Sequence, residues 1–174
     1  NLIYYLTDYD SVVRQGINGP IFALTALSEC GHSQNEVIDR YVGYILERQH
    51  ADGSFGLSDD GDADVTAMAI QALSYIDGRA DVDSALEGAT AYLSSIQNAD
   101  GTFSADGAAN CESTAQVLIA MSELGISLND DRFVKNGNTV LDGVDRFYVS
   151  GGGYKHLTAQ TETGLMATEQ ALLA

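Results

Sequence analysis

A segment near the middle of the chain is repeated 48 residues further on. Residues 49–55 (Gln-His-Ala-Asp-Gly-Ser-Phe) return at 97–103 as Gln-Asn-Ala-Asp-Gly-Thr-Phe, and the apolar stretch after each copy repeats at the same spacing. Residues 151–154 (Gly-Gly-Gly-Tyr) open a looser, longer copy, and 19–27 form a partial first one. A fixed period of this length indicates a repeat architecture, in which each unit buries its apolar face against its neighbours.

Two kinds of apolar pattern alternate within the repeats. Residues 35–49 and 83–97 carry apolar side chains at i, i+3 and i+4 with charged residues opposite, which predicts half-exposed outer helices. A third outer helix is predicted over 133–149. Residues 64–75 and 112–124 are apolar or small on nearly every side, which predicts enclosed inner helices. The inner helices are predicted to begin near Gly19, Asp64, Glu112 and Thr161. The sequence therefore predicts an all-α fold of four helical hairpins.

The charge of the chain excludes several partners. Its 174 residues contain 8 Lys and Arg against 25 Asp and Glu, a net charge of −17. A chain this acidic repels nucleic acid phosphates and anionic lipid head groups. No apolar run approaches the ~20 residues that a membrane span needs. We therefore expect no nucleic acid partner and no membrane insertion, which leaves a small-molecule ligand and other domains of the same chain.

The repeated turns resemble those of a known superfamily. Gln-x-x-x-Gly-x-Phe at 49–55 and 97–103 is similar to the Gln-x-x-x-Gly-x-Trp repeats of squalene cyclases and prenyltransferases, with Phe in place of Trp. A closer resemblance, to prenyltransferase-like domains of large secreted or wall-attached proteins of Gram-positive gut bacteria, rests on four segments: 9–23, 64–69, 135–138 and 166–170.

This resemblance implies an α/α toroid, in which a ring of inner helices lies inside a ring of outer ones. It also implies an extracellular or cell wall-attached bacterial protein. A full toroid of this superfamily has more hairpins than the four predicted here, so we expect residues 1–174 to be a single domain with an incomplete ring, and a fragment of a larger protein.

Polar side chains recur where the predicted inner helices begin, and buried polar groups need partners or a ligand. With aromatic residues of the adjoining turns they form the candidate ligand site: Asp64, Thr66, Glu112, Thr114, Thr168, Gln170, Phe55, Phe103 and Tyr154. Resemblance to transcobalamin-type toroids makes a corrinoid the first ligand to test. The predicted function is a noncatalytic binding or display module, with a structural protein-interaction repeat as an alternative.

An enzyme is the other alternative. Residues 62–67 (Asp-Ala-Asp-Val-Thr-Ala) resemble the Asp-x-Asp-Asp-Thr-Ala motif of class II terpene cyclases, whose middle aspartate protonates the substrate. Asp64 falls on that position and would be the general acid, but Val65 stands where the family has a second aspartate. Capping of a helix N-terminus by Asp62 or Asp64 accounts for the same residues, so no catalytic residue is assigned.

One acidic segment of the chain carries oxygen ligands of the kind that calcium binds. Carboxylates follow one another as in a calcium loop at Asp59, Asp60, Asp62 and Asp64. The closing Glu of an EF-hand is absent, so a solvated acidic loop is the alternative and no cofactor is assigned. A prenyltransferase-type zinc site is not expected, because the family's Asp-x-Cys at an inner helix start is missing.

The chain has two cysteines and three histidines, none of which is predicted to be catalytic. Cys30 ends one predicted inner helix and Cys111 begins another, which in parallel helices separates them by ~16 Å, beyond the reach of a disulfide. We therefore expect two free, mostly buried thiols. His32, His50 and His156 lie next to predicted turns and are expected to be exposed rather than catalytic.

Overall fold

The computed structural model of the protein describes residues 2–32 and 36–174. Of these residues, helices hold 54%, and strands together with isolated β-bridges hold 7%, which confirms a mainly α-helical fold. The helices are α1 Leu2–Leu6, α2 Tyr9–Val13, α3 Asn18–Glu29, α4 Glu36–Leu46, α5 Ala63–Leu73, α6 Ala80–Ile96, α7 Cys111–Glu123, α8 Val140–Asp145 and α9 Leu165–Leu173. The strands are β1 Phe103–Ala105 and β2 Ala108–Asn110, and a 3-10 turn covers Asp131–Phe133. The chain divides into two compact units, Asn1–Thr90 and Ala91–Ala174.

The first unit is built on two neighbouring helices, α3 and α5, with α4 packed against α3. Helix α5 buries eight of its eleven residues, as a helix that is apolar on all sides should. Helix α3 buries six of its twelve, including Leu24 and Leu27, and exposes Phe22. Helix α4 buries one side and exposes charged residues on the other, so it is the outer helix that its sequence period predicts. The predicted start of this helix at Asn35 lies outside the described residues.

An aromatic cluster ties the first two helices to α4. The rings of Tyr9 and Tyr41 stack with centroids 5.4 Å apart, and the Arg40 guanidinium lies 3.7 Å above the centre of the Tyr9 ring. Tyr41 Oη donates to the carbonyl of Leu6 at 2.6 Å. Burial raises the pKa of Tyr41 to about 12, so its hydroxyl remains a hydrogen-bond donor near neutral pH.

The second unit is organised around α7, which packs against α8, α9 and β1. Strands β1 and β2 pair antiparallel with Phe103 opposite Asn110, a hairpin that the helical periodicity did not predict. Asp106 and Gly107 turn the chain at its tip with φ of +50° and +79°. The hairpin brings Phe103 into the core and Asn110 to the start of α7, where its side chain accepts a hydrogen bond from Ser113 N.

The long outer helix predicted over 133–149 is wrong, because a tight turn and the short helix α8 occupy this stretch. Lys135 and Asn138 exchange two backbone hydrogen bonds of 2.9 Å across Asn136 and Gly137. These two central residues have φ of +52° and +82°. Consecutive positive φ values are typical of a hairpin turn and incompatible with a right-handed helix, so an Asn-Gly pair overrides the apolar period around it.

The last inner helix also differs from the prediction. Helix α9 begins at Leu165 rather than near Thr161, because the backbone of Gly164 bonds back to the carbonyl of Tyr154 at 2.8 Å and the preceding residues remain a loop. Within α9, Ala167 is the buried residue. The expectation that inner helices are enclosed on all sides is therefore correct for α5 and α7 and wrong for α9.

Candidate functional site

A threonine near the start of each buried inner helix holds the aromatic residue of the turn before it. Thr66 Oγ1 accepts a hydrogen bond from Phe55 N at 2.9 Å and donates to Phe55 O at 3.1 Å. In the next copy Thr114 Oγ1 accepts from Phe103 N at 3.0 Å and donates to the carbonyl of Asn110 at 2.7 Å. Neither threonine nor either phenylalanine has exposed surface. These side chains therefore hold the fold together and offer no surface to a ligand.

The third copy uses the same bond in a more open setting. Tyr154 N donates to Thr168 Oγ1 at 2.8 Å, and the hydroxyl of Thr168 lies 3.3 Å from Tyr154 O. The Tyr154 ring is half-buried, meets Tyr148 edge to face at 5.6 Å, and has its pKa raised by burial. Thr168 is thus engaged in the turn, whereas the Tyr154 ring keeps some exposed surface.

The glutamine of the first repeated turn bridges to the following outer helix. Gln49 Nε2 donates to Gly53 O at 2.9 Å and to Ala85 O, in α6, at 2.8 Å. Gly53 has φ of +88°, and a Cβ there would lie 2.4 Å from the carbonyl oxygen of Gly88. The turn can approach α6 this closely because Gly53 lacks a side chain, whereas a Cβ on Gly88 would come no nearer than 3.4 Å to its neighbours.

The second copy repeats the arrangement. Gln97 Nε2 donates to Gly101 O at 3.3 Å and to Phe133 O at 3.1 Å. Gly101 has φ of +87°, and a Cβ on it would lie 2.2 Å from Thr139 O and 3.2 Å from Gly143 N. In both copies, therefore, the glutamine closes its own turn and also joins that turn to the next repeat.

A serine, a histidine and an aspartate meet at the first turn, but not in the order of a hydrolase triad. Ser54 Oγ donates to Asp52 Oδ1 at 2.6 Å and lies 3.0 Å from His50 Nδ1, and Ser54 is fully buried. The hydroxyl of Ser54 lowers the pKa of Asp52. The same contacts recur in the second copy with Asp100, Thr102 and Asn98. Because an asparagine replaces the histidine there, the group is a turn-forming network, and His50 is half-buried rather than exposed as expected.

Asp62 caps α5. Its Oδ1 accepts a hydrogen bond from Val65 N at 2.7 Å, which confirms the capping interpretation of residues 62–67 for this aspartate. Asp64 lies half-buried in the first turn of the same helix. In residues 2–32 and 36–174, no three His, Cys, Asp or Glu side chains are grouped so that they could hold a metal ion.

The two cysteines are free, as expected, but only one is buried. Cys111 has no exposed surface, its thiol lies 3.6 Å from Ala167 O, and burial raises its pKa to about 12. Cys30 is exposed, because it follows the last turn of α3 at the surface. The prediction of a buried Cys30 is therefore wrong.

A thiol reagent should separate the two cysteines. We expect the native protein to release one equivalent of chromophore from an aromatic disulfide reagent, from Cys30, and the second only in denaturant, because a buried thiol with a raised pKa forms little thiolate. A Cys30→Ser variant serves as the control and should show no rapid phase. Rapid labelling of Cys111 in that variant would contradict the burial.

A histidine–carboxylate pair lies at the start of α7. His156 Nδ1 is 2.6 Å from Glu112 Oε2, with half of the His156 side chain and 15% of the Glu112 side chain exposed. The backbone of His156 is fixed as well, since its carbonyl accepts a hydrogen bond from Cys111 N at 3.0 Å. Within the described chain, no group bonds to the other ring nitrogen, Nε2. The sequence placed His156 beside a turn and correctly expected it to be exposed.

The loop after this histidine forms an open cleft of about 430 Å³, lined by His156 and residues 159–164. Three hydrogen bonds shape the loop. Leu157 N donates to Gln160 Oε1 at 3.0 Å, Lys155 Nζ to Thr158 O at 2.7 Å, and Gly164 N to the carbonyl at position 154 at 2.8 Å. The volume of the cleft lies within the range that is typical of small-molecule sites.

The predicted ligand residues fall into two groups. Buried in turn contacts are Phe55, Thr66, Phe103 and Thr114, with Thr168 bonded in the third turn. At least partly exposed are Asp64, Glu112, Tyr154 and Gln170. Of the second group, Glu112 bonds to a residue that lines the cleft. The cleft residues 159–164 were missed, since they have neither an apolar period nor a copy elsewhere in the chain.

No protein-family model matches the chain, and no curated protein sequence is significantly similar to it. Among the helices that the structure describes, none combines the length and apolar character needed to cross a bilayer. A functional assignment therefore depends on the geometry around His156 and on the resemblance of the repeated turns.

Proposed function

We propose that the chain is a noncatalytic binding module of the α/α-toroid kind, which holds a small molecule in the cleft beside His156. The observation that carries this proposal is the Glu112–His156 pair, which presents a fixed imidazole at the edge of a cleft of about 430 Å³. The toroid arrangement belongs to the same proposal and is supported by the similarity of the repeated turns to those of squalene cyclases and prenyltransferases. The extracellular bacterial location belongs to it as well and is supported by the resemblance of 9–23, 64–69, 135–138 and 166–170 to prenyltransferase-like domains of Gram-positive gut bacteria.

The Glu112–His156 pair determines which contacts a ligand in the cleft can make. When the neutral imidazole carries its proton on Nδ1, the Glu112 carboxylate accepts that hydrogen bond and the lone pair of Nε2 is available to a ligand. Nε2 then accepts a hydrogen bond from the ligand or coordinates a metal centre that the ligand carries. The resemblance to transcobalamin-type toroids makes a corrinoid the first candidate, whose cobalt the imidazole of His156 would hold.

The surroundings favour a neutral or cationic molecule over an anion. Glu162 lines the cleft together with Thr161 and Thr163, Glu112 bonds to the cleft residue His156, and Lys155 is bonded to a backbone carbonyl. In a chain with a net charge of −17, a diphosphate or similar anion meets unfavourable electrostatics.

Binding without catalysis is favoured by how the polar residues are used. The hydroxyls of Thr66 and Thr114 hold backbone groups, and Ser54 is buried in its turn network. Beside Asp64, the terpene cyclase motif has Val65 in place of its second aspartate. The cleft itself is open, so a bound molecule remains in contact with water.

The test is a titration with hydroxocobalamin, whose visible spectrum changes when imidazole replaces its bound water, and with glucose as a metal-free hydrogen-bonding probe. We expect at least one of them to bind and His156→Ala to weaken that binding by about tenfold or more, the scale of one hydrogen bond to a charged pair. His32→Ala, at the turn after α3, is the matched control and should bind as the wild type does.

Two results would contradict the proposal. One is the absence of binding by both probes at millimolar concentration. The other is equal affinity of the wild type and His156→Ala, which would place any binding outside the cleft.

A further inference from the structure

The turn at 135–138 presents a side-chain amide and a glycine nitrogen to solvent. Asn136 and Gly137 are both exposed, and a Cβ on Gly137 would meet nothing within 4 Å. Among the hydrogen bonds of residues 2–32 and 36–174, none involves the Asn136 side chain, and none has Gly137 N as its donor. Water and hydroxide therefore reach both groups.

An asparagine followed by a glycine carries the two groups of an intramolecular substitution. The Gly137 nitrogen loses its proton to hydroxide and attacks Cγ of Asn136, so that a carbon–nitrogen bond forms and closes a succinimide ring. The bond from Cγ to Nδ2 breaks, and the departing nitrogen takes up a proton from water and leaves as ammonia. Water then opens the ring at either of its carbonyls, which gives an aspartate or an isoaspartate. No electrons are exchanged, and water is the only co-reactant.

The reaction requires the backbone at Asn136 to rotate until Gly137 N faces Cγ, and the turn is weakly held against this rotation. Lys135 and Asn138 exchange two backbone hydrogen bonds, and Asn138 Nδ2 donates to Ala99 O at 3.1 Å and to Lys135 O at 3.3 Å. Segments that are exposed and bury few apolar groups open at the smallest cost in free energy. Gly137 also has no Cβ to shield its nitrogen.

A second Asn-Gly pair lies where the fold protects it. Asn18 and Gly19 begin α3, and Gly19 is buried. A Cβ on Gly19 would lie 2.1 Å from the carbonyl oxygen of Val12, so the backbone is packed against α2 at this point. The same rotation at Asn18 therefore requires α3 to separate from α2, which costs more than opening an exposed turn.

Conversion at Asn136 would alter a joint between two repeats. The carbonyl of Phe133 accepts a hydrogen bond from Gln97 Nε2, and the Asn138 side chain donates to Ala99 O, so residues 133–138 are bonded to the second repeated turn at both ends. An isoaspartate adds a methylene to the backbone between these two contacts and so weakens them. Either product also adds a negative charge to a chain whose net charge is −17.

We propose that Asn136 is a spontaneous modification site, at which the folded protein converts asparagine to aspartate and isoaspartate while Asn18 remains intact. The converted protein is more acidic, and its contact between 133–138 and the turn at 97–103 is loosened. The reaction involves no residue of the cleft beside His156, so it does not depend on the proposed function.

The test is peptide mapping of the whole chain after incubation at neutral and at mildly alkaline pH, with an unincubated sample as the background. Trypsin cuts after Lys135 and Arg146, and the released peptide 136–146 shows conversion as the mass gain of exchanging NH₂ for OH. We expect Asn136 to convert at least about tenfold faster than Asn18, a difference of ~1.4 kcal/mol in the barrier. Both rates should rise with hydroxide concentration, and in urea they should become similar.

Matched variants test the role of the turn. Gly137→Ala should slow conversion at Asn136 several-fold, because its Cβ shields the nitrogen, whereas Gly107→Ala, at another open glycine with positive φ, should leave the rate unchanged. Far-UV circular dichroism checks that the variants fold, and the comparison of Asn136 with Asn18 decides the question without any variant. The proposal is overturned if Asn136 stays intact in the native protein while both asparagines convert in urea, or if the two convert equally fast in the native protein.

Discussion

Replacing Gly101 by alanine is expected to lower the free energy of unfolding of the second unit by about 3 kcal/mol or more. The new Cβ would lie 2.2 Å from Thr139 O and 3.2 Å from Gly143 N, and neither backbone atom can rotate away. The φ of +87° is itself strained for alanine. Overpacking and backbone strain each cost about 1–3 kcal/mol. Urea unfolding followed by far-UV circular dichroism measures the loss.

Gly107→Ala separates the two causes. Gly107 has a φ of +79°, close to that of Gly101, but a Cβ there would meet nothing within 4 Å. This variant therefore carries the backbone strain alone and should lose about 1 kcal/mol. Equal losses in the two variants would show that the close approach of Gly101 to the following outer segment contributes nothing.

Thr114→Val should lower the free energy of unfolding by about 1–3 kcal/mol, the cost of a buried polar group left without its partner. Valine has nearly the same shape and the same branching at Cβ, so helix propensity and packing change little. The substitution removes the acceptor for Phe103 N and the donor to the carbonyl of Asn110, both inside the protein.

Thr114→Ser is the matched control, because serine keeps the hydroxyl and removes a methyl group worth about 0.8 kcal/mol. Thr66→Val tests the same bond in the first unit, where Thr66 holds Phe55. A Thr114→Val protein as stable as the wild type, or less affected than Thr114→Ser, would contradict the role assigned to this hydroxyl.

The apolar period predicted most helices because each helix buries one side or all sides independently of its neighbours. The bounds of α5 and α7 fall within two residues of the sequence prediction. The period failed at 133–149, where the turn at Asn136 and Gly137 interrupts it. An Asn-Gly pair is a strong turn signal, so this error could have been avoided from the sequence.

The site was harder to predict because a polar residue at a helix start suits a ligand or a backbone partner equally well. Thr66 and Thr114 were assigned to a ligand, yet each bonds to an aromatic residue 11 positions earlier. That spacing recurs in the sequence, but its meaning depends on the path of the turn between the two residues. The Glu112–His156 pair joins residues 44 positions apart, which only the folded chain brings together.

We propose that the first two turns hold the fold and that the third turn binds the ligand. The most direct measurement is an amide chemical-shift map of the isotope-labelled protein during titration with hydroxocobalamin or glucose. The claim predicts that shifts concentrate at 156–164 and Glu112, while Phe55 and Phe103 remain unchanged. Shifts that concentrate around Phe55 or Phe103, with 156–164 unaffected, would contradict it.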